Sequence, residues 1–351
     1  MSKQTQKNLR EETSRRSSNS GPQTGKIGVL LVNLGTPEGT DYWPMRRYLA
    51  EFLSDRRVIE WPRAIWYPVL YGIVLSRRPS KSGAAYAKIW NNERNESPLR
   101  TFTRAQGERL ATALADHENI IVDWAMRYGK PAIKEVTNSL IERGCDRIVM
   151  FPLYPQYSAT TTATVNDKFF EALAKMRFQP AVRTIPSYPG DSVYIDALAR
   201  SIEGHLATLD FEPEKVIASY HGIPQSYVQR GDPYEAQCYE TSRLLRERLG
   251  WDDKKLLTCF QSRFGPEEWT QPYTDKTVER LAREGVKSVA VFNPGFVSDC
   301  LETLEEIAVE AGTIFRAAGG ENFTHIPCLN DSDDGMRVIE HLVRRELSGW
   351  I

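Results

Sequence analysis

From Lys26 to the C-terminus, short unbroken apolar runs alternate with longer segments in which apolar residues recur every three or four positions. The run Lys26-Ile-Gly-Val-Leu-Leu-Val-Asn-Leu-Gly-Thr-Pro37 reads as a buried strand ending in a Gly/Pro turn. The amphipathic stretches between such runs have helix length. This alternation predicts parallel sheets flanked by helices. Residues 1–25 break the pattern, being almost wholly polar, and are expected to be disordered because they cannot bury enough apolar area to offset their ordering entropy. They lack the apolar stretch of a signal peptide, and Glu11 and Glu12 disfavour a transit peptide.

Three pairs of segments recur in the same order. Lys215-Val-Ile-Ala-Ser-Tyr-His-Gly-Ile-Pro224 repeats the first strand and turn; Ile121-Val-Asp-Trp-Ala-Met-Arg-Tyr-Gly129 matches Leu256-Leu-Thr-Cys-Phe-Gln-Ser-Arg-Phe-Gly265; Gly144–Pro152 parallels Gly285–Pro294. The last pair leads through polar loops into helices near Thr161 and Leu301. The order predicts two similar doubly wound, Rossmann-like halves, at 26–190 and 191–351, with an active cleft between them. The first two paired strands lie much further apart in the first half, which therefore carries an insertion of roughly fifty residues within about 38–98. Its core, Trp61 to Leu75 followed by Arg77 and Arg78, is too short and too interrupted to span a bilayer. It reads equally as a helix pair covering a sheet edge or as an apolar lip for a flat ligand, with peripheral membrane contact through 61–78 a further option.

Composition narrows the function. The 351 residues, 41% hydrophobic, suffice for two packed halves. Lys and Arg total 45 against 46 Asp and Glu, a balance that argues against a nucleic-acid partner. Five cysteines, odd in number and without a C-x-x-C pair, exclude a complete intrachain disulfide framework and point to a reducing cytoplasm. Nucleotide binding has no motif support, since neither GxGxxG after the first strand nor GxxxxGK[ST] occurs.

In doubly wound sheets, ligands bind beyond the carboxyl ends of strands. His221 sits at such an end, before Gly222. The stretch Asn293–Ile307 supplies Ser298 or Asp299 as a cap for the next helix, and Glu302, Glu306 and Glu310 follow at i, i+4 and i+8 as one acidic ridge. Like charges at that spacing cost a few tenths of a kcal/mol per pair, so the ridge suits a solvated face or a cation path. A histidine opposite carboxylates suits a divalent metal and proton transfer near neutral pH.

Taken in order, Leu31-Val-Asn-Leu-Gly-Thr-Pro37, Met126-Arg-Tyr128, Tyr154-Pro-Gln-Tyr-Ser158, Ser219-Tyr-His-Gly-Ile-Pro224, Arg230-Gly-Asp-Pro-Tyr234, Phe260-Gln-Ser-Arg263, Gly265-Pro-Glu-Glu-Trp269 and Ser298-Asp-Cys-Leu-Glu-Thr-Leu304 closely resemble ferrochelatase, from Gly28 to about Leu342. The resemblance implies insertion of Fe(II), as substrate, into protoporphyrin IX, giving protohaem and two protons. It puts the metal and catalytic pair on His221 and Glu302, and a metal or proton path on Glu306, Glu310 and Asp299. Asn33, Leu34, Arg78, Tyr86, Arg127, Tyr128, Tyr154 and Trp269 fall on porphyrin-binding positions, and the insertion falls on the family's apolar mouth. Ala159 stands where animal relatives place an iron–sulfur ligand, and no cysteine follows Cys328, so no cluster is expected. Cys300 replaces a histidine of many relatives and reads as buried packing rather than a soft ligand. Coproporphyrin or another tetrapyrrole as substrate, and a non-catalytic haem carrier, are the competing readings; oligomeric state, monomer or dimer, is left open.

Overall fold

The computed structural model describes residues 25–351, and the tail assigned to 1–25 lies outside them except for Gly25. Strands β1 (Lys26–Gly35), β2 (Ile120–Tyr128), β3 (Cys145–Pro152) and β4 (Ala181–Thr184) form one parallel sheet in the order β2-β1-β3-β4. Strands β5 (Lys215–His221), β6 (Leu256–Gln261), β7 (Ser288–Phe292) and β8 (Asn322–Ile326) repeat it as β6-β5-β7-β8. The three sequence pairs are β1 with β5, β2 with β6 and β3 with β7. The likeness extends to single bonds: Met126 N–H donates to Pro131 O at 2.7 Å, and Phe260 N–H to Pro272 O at 2.8 Å. Both helices that follow the third strands begin in π form, at Ala159–Ala163 and Glu302–Ala311.

The first half continues with α1 (Tyr42–Leu53), α2 (Arg63–Val69), a π-helical turn at Leu70–Val74 and α3 (Leu75–Ile89), which together make up the insertion. Pro68, lacking an N–H, marks the approach to that π turn. Helices α4 (Pro98–Ala113), α5 (Ile133–Glu142) and α6 (Thr164–Leu173) complete it. The second half holds α7 (Ser192–Leu206), α8 (Gln225–Gln229), α9 (Tyr234–Leu249), α10 (Thr274–Arg283), α11 (Gly312–Ala317) and α12 (Asp333–Leu347).

Side chains alternate across each strand, and here both faces are buried, which is why the strands read as continuous apolar runs. Val29 and Leu31 join Val216, Ala218 and Tyr220 in a central core that spans both sheets. Leu30 and Val32 face α5 and α6 on the outer side of the first sheet, while Ile217 and Val289 face α10 and the π-helical segment on the outer side of the second. The insertion builds a separate cluster around Met45, Trp66 and Leu70, reaching Leu34 and Tyr128 in the first half and Leu301 in the second.

Polar contacts lock the halves together. Gln106 Nε2 of α4 donates to Ser298 Oγ at 3.0 Å and Asn330 O at 2.8 Å, and Arg344 Nη2 of α12 donates to Ala113 O at 2.7 Å. The insertion cluster touches Leu34 and Tyr128 at the carboxyl ends of β1 and β2 and Leu301 beyond the end of β7, and so lies beside the carboxyl ends of both sheets.

Candidate active site

His221 is the last residue of β5 and half-buried. Its Nδ1 lies 2.6 Å from Gly222 O, a carbonyl that can only accept, so Nδ1 carries the hydrogen or the ring is charged. In the neutral ring Nε2 is the free atom, able to take a proton or bind a metal. The segment after β6 brings Trp269 beside it, with ring centroids 6.3 Å apart and planes tilted by 49°. Gly222 permits this approach: a Cβ there would come within 3.1 Å of Gln261 O and 3.3 Å of the Trp269 ring. Trp269 is held by its Nε1 bond to Phe264 O at 2.9 Å and by the neighbouring Thr270 N–H to Ile223 O at 2.9 Å.

Glu302 opens the π-helical segment. The expectation that Ser298 or Asp299 caps this helix is not met. Ser298 Oγ accepts from Gln106, and the Asp299 carboxylate accepts from Thr303 Oγ1 at 2.8 Å, Asn330 Nδ2 at 2.7 Å and Cys328 N–H at 3.3 Å. The helix therefore starts with no side-chain cap at Leu301, the Ser298 oxygen serving Gln106 and the Asp299 carboxylate serving Thr303, Asn330 and Cys328. Asp299 is buried and stands off the acidic ridge, lining a cavity of about 270 Å³ with Asn91, Thr101, Phe102 and Leu304.

Gln261 ties His221 to Glu302. It is His221's neighbour in the β5–β6 ladder, and its Nε2 donates to the Glu302 carbonyl at 2.7 Å. Ser262 then receives Glu306: its N–H donates to one carboxylate oxygen at 2.7 Å and its hydroxyl to the other. Burial raises the Glu306 carboxyl above the usual range; the Ser262 bonds and the charge of His221 oppose this, and Glu302 adds to it. Glu310 is exposed, and with Glu306, Ser262, Arg263 and Asp275 it lines a cavity of about 220 Å³. The ridge thus runs from beside His221 to solvent. π-type bonding, i to i+5, widens the turn but keeps these three glutamates on one side.

The roof closes over Glu302. Burial, reinforced by the nearby charge of Glu302, pushes the Tyr48 and Tyr86 phenols up. Arg78 turns inward from α3 while Arg77 stays exposed. Burial depresses the Arg78 guanidinium, Glu302 and Tyr48 oppose that shift, and its carbon sits 4.8 Å from the Phe264 ring centroid. Leu34 lies half-buried where the roof meets β1. Asn33 is buried and spoken for: Nδ2 donates to Thr103 Oγ1 at 3.1 Å and Oδ1 accepts from Leu34 N–H at 2.9 Å. The Tyr154 hydroxyl is buried with no hydrogen-bond partner among the described residues, and burial raises it. The Arg127 guanidinium is ion-paired with Asp55, and the Tyr128 hydroxyl donates to the same carboxylate at 3.0 Å.

Sequence reading missed Asp55, Gln261 and Asp232. Asp232 Oδ2 accepts from Ser158 Oγ at 2.9 Å and Ala159 N–H at 2.8 Å, so the turn Gln229–Tyr234 fixes the other half's π-helical turn. Its signal is the Gly-Asp-Pro turn, and that of Gln261 is its place in Phe260-Gln-Ser-Arg263; Asp55 carries none. Among the described residues, no group of three or more His, Cys, Asp or Glu side chains is arranged to hold a metal ion, and no helix is long and apolar enough to cross a membrane.

Comparison with solved structures supports the fold. SirB from Bacillus subtilis with Fe3+ covers 92% of this chain and 96% of its own at a TM-score of 0.54 and 12% identity. CbiX, the terminal enzyme for siroheme biosynthesis in denitrifying bacteria, gives 0.51 and 14%, covering 92% of this chain and 100% of its own. In sequence, a ferrochelatase of a Chelativorans species is 80% identical over 334 residues, 95% of either chain, and that of Brucella anthropi is 73% identical over 326 residues, 93% of either. A ferrochelatase family model matches residues 26–347. The chain belongs to the ferrochelatase family, the lyases that insert Fe(II) into protoporphyrin in haem synthesis.

Proposed function

We propose that His221 and Glu302 are the metal-inserting pair of this ferrochelatase, that Glu306 and Glu310 form the path for iron or protons, and that the halves divide near residue 190. The observation that carries this reading is the position of Glu306, which feels both His221 and Glu302 while opening to a solvent-facing cavity. A flat porphyrin keeps its two N–H protons in plane, so four nitrogens cannot meet a metal together. A site that holds the ring bent exposes lone pairs and favours the distorted transition state. Trp269 and Leu34 would grip the ring, Tyr86 and Tyr154 would flank it, and Arg78 would meet a propionate. His221 Nε2 and the Glu302 carboxylate then accept the pyrrole protons as Fe(II) enters. Arg127, Tyr128 and Asn33 would act from behind, by fixing the pocket wall.

The test is anaerobic metallation of protoporphyrin and coproporphyrin by purified protein, followed by absorbance. Faster turnover of protoporphyrin is expected. No metalloporphyrin above the blank would favour a carrier, and faster coproporphyrin turnover would reassign the substrate. H221A should lose turnover by about 10²–10⁴-fold if His221 is the base; unchanged turnover would remove it from the pair.

Finer points belong to the same reading. Neither an iron–sulfur cluster nor a nucleotide is needed, no nucleic-acid partner is expected, and the compartment is the cytoplasm. Trp61, Ile65, Tyr67, Tyr71 and Ile73 are exposed on the insertion beside Arg63 and Arg77, a composition suited to peripheral contact with an anionic membrane surface. Co-sedimentation with anionic vesicles, lost in a Tyr71→Ser and Ile73→Ser variant, would test that contact. Light scattering would decide between monomer and dimer.

A further inference from the structure

The end of β6 grips two glutamates of the π-helical segment at once. Gln261 holds the Glu302 backbone and Ser262 holds the Glu306 carboxylate. Both ends of the buried Gln261 amide are engaged: Oε1 accepts from Ser219 Oγ at 2.6 Å and from Asn293 Nδ2 at 2.8 Å. Asn293 Nδ2 gives its other hydrogen to Ser219 O at 3.0 Å, and its Oδ1 lies 3.1 Å from His325 Nε2. The donors therefore run one way, from His325 through Asn293 and Gln261 to the Glu302 carbonyl. Turning over the Gln261 amide would set oxygen against oxygen and NH2 against NH2. Ser262, in turn, presents both donors to Glu306 from a left-handed backbone, with φ of 66°.

We propose that Gln261 is a positioning residue, which sets the first π-helical turn so that Glu302 faces His221 at working distance; Ser262 does the same for Glu306. This rests on the reading of His221 and Glu302 as the inserting pair. Because Gln261 is also His221's ladder partner, one side chain ties the two sides of the pair to a common frame. An error of about 1 Å in such a group can cost on the order of a hundredfold in rate.

The experiment compares full-length Q261E, Q261L, S262A and E302Q with the parent, varying porphyrin and metal separately and measuring porphyrin affinity by fluorescence quenching. Ionised Q261E keeps the acceptor for Ser219 and Asn293 but has no donor for Glu302, and its near-identical shape makes it the deciding variant should Q261L not fold. Both Gln261 variants should lower kcat by about ten- to hundredfold with porphyrin affinity nearly unchanged, and S262A should raise the metal KM alone. Parent-like turnover in Q261E and Q261L, with E302Q inactive, would overturn the Gln261 role while leaving the inserting pair intact. Porphyrin affinity falling as far as kcat would also overturn it, as general distortion. Full activity in E302Q would overturn both.

Discussion

Arg127 and Asp55 form an ion pair from which solvent is almost excluded, with side chains 4% and 10% exposed. Arg127 Nε also donates to Thr164 O at 2.9 Å, so the guanidinium joins β2, the end of α1 and the start of α6. Breaking such a pair from one side strands a buried charge. D55A should therefore destabilise the fold by about 3–5 kcal/mol, measured by urea unfolding. A loss under about 1 kcal/mol would mean that water reaches Arg127.

In the proposed function Arg78 is the roof cation that would meet a propionate. Losing a charge-assisted hydrogen bond of about 1.5–3 kcal/mol should raise the porphyrin KM of R78L by about ten- to hundredfold. With a dimethyl-ester porphyrin, whose propionates carry no charge, parent and R78L should differ little. Equal losses on acid and ester would assign Arg78 to packing against Phe264 instead.

His325 titrates below its ordinary 6.5, chiefly through burial, with Asp299 opposing and His205 adding to the shift. The unfolded chain then binds more protons between the two values, so stability is present above 6.5 and is lost as pH falls through the depressed folded value. H325Q keeps an N–H donor for Asn293 and has nothing to titrate. Its melting temperature should fall less than the parent's between about pH 7 and pH 5. His205, also depressed by burial, is present in both proteins, so H325Q keeps part of the acid response. Parallel curves would remove His325 from the acid response.

Gly35 ends β1 at φ 111°, and a Cβ there would lie 1.9 Å from Tyr128 O. Neither backbone can move without breaking the β1–β2 ladder, where the two residues are partners. G35A should cost more than about 4 kcal/mol and fail to accumulate as folded protein. Gly231 supplies the control, with φ 98° but nothing within 4 Å of a Cβ, so G231A should lose only about 1–2 kcal/mol. Comparable losses in the two variants would show that conformation rather than collision sets the cost at Gly35.

The sheets were legible because both faces of each central strand are buried, leaving apolar runs that no other element explains. The duplication was legible because turn residues recur at the same strand ends. The fourth strands escaped notice: β4 has only four residues and buries none of them fully, and β8 buries only Ile326. The cap at Ser298 or Asp299 failed for a related reason. Local pattern proposes a partner for each polar group, but Gln106 lies 192 residues from Ser298, and Asn330 lies 31 from Asp299.

Sequence by itself determined the paired halves, the inserted segment, the place of His221 at a strand's carboxyl end and the spacing of Glu302, Glu306 and Glu310. Each follows from short-range periodicity or turn chemistry. Only the tertiary structure decided that Asp299 bonds Thr303, Asn330 and Cys328 instead of capping the helix, that Asp55 claims Arg127 and Tyr128, and that Gln261 and Ser262 hold the glutamates beside His221. Those outcomes depend on which donors and acceptors are buried together, and burial brings together groups that no local pattern links.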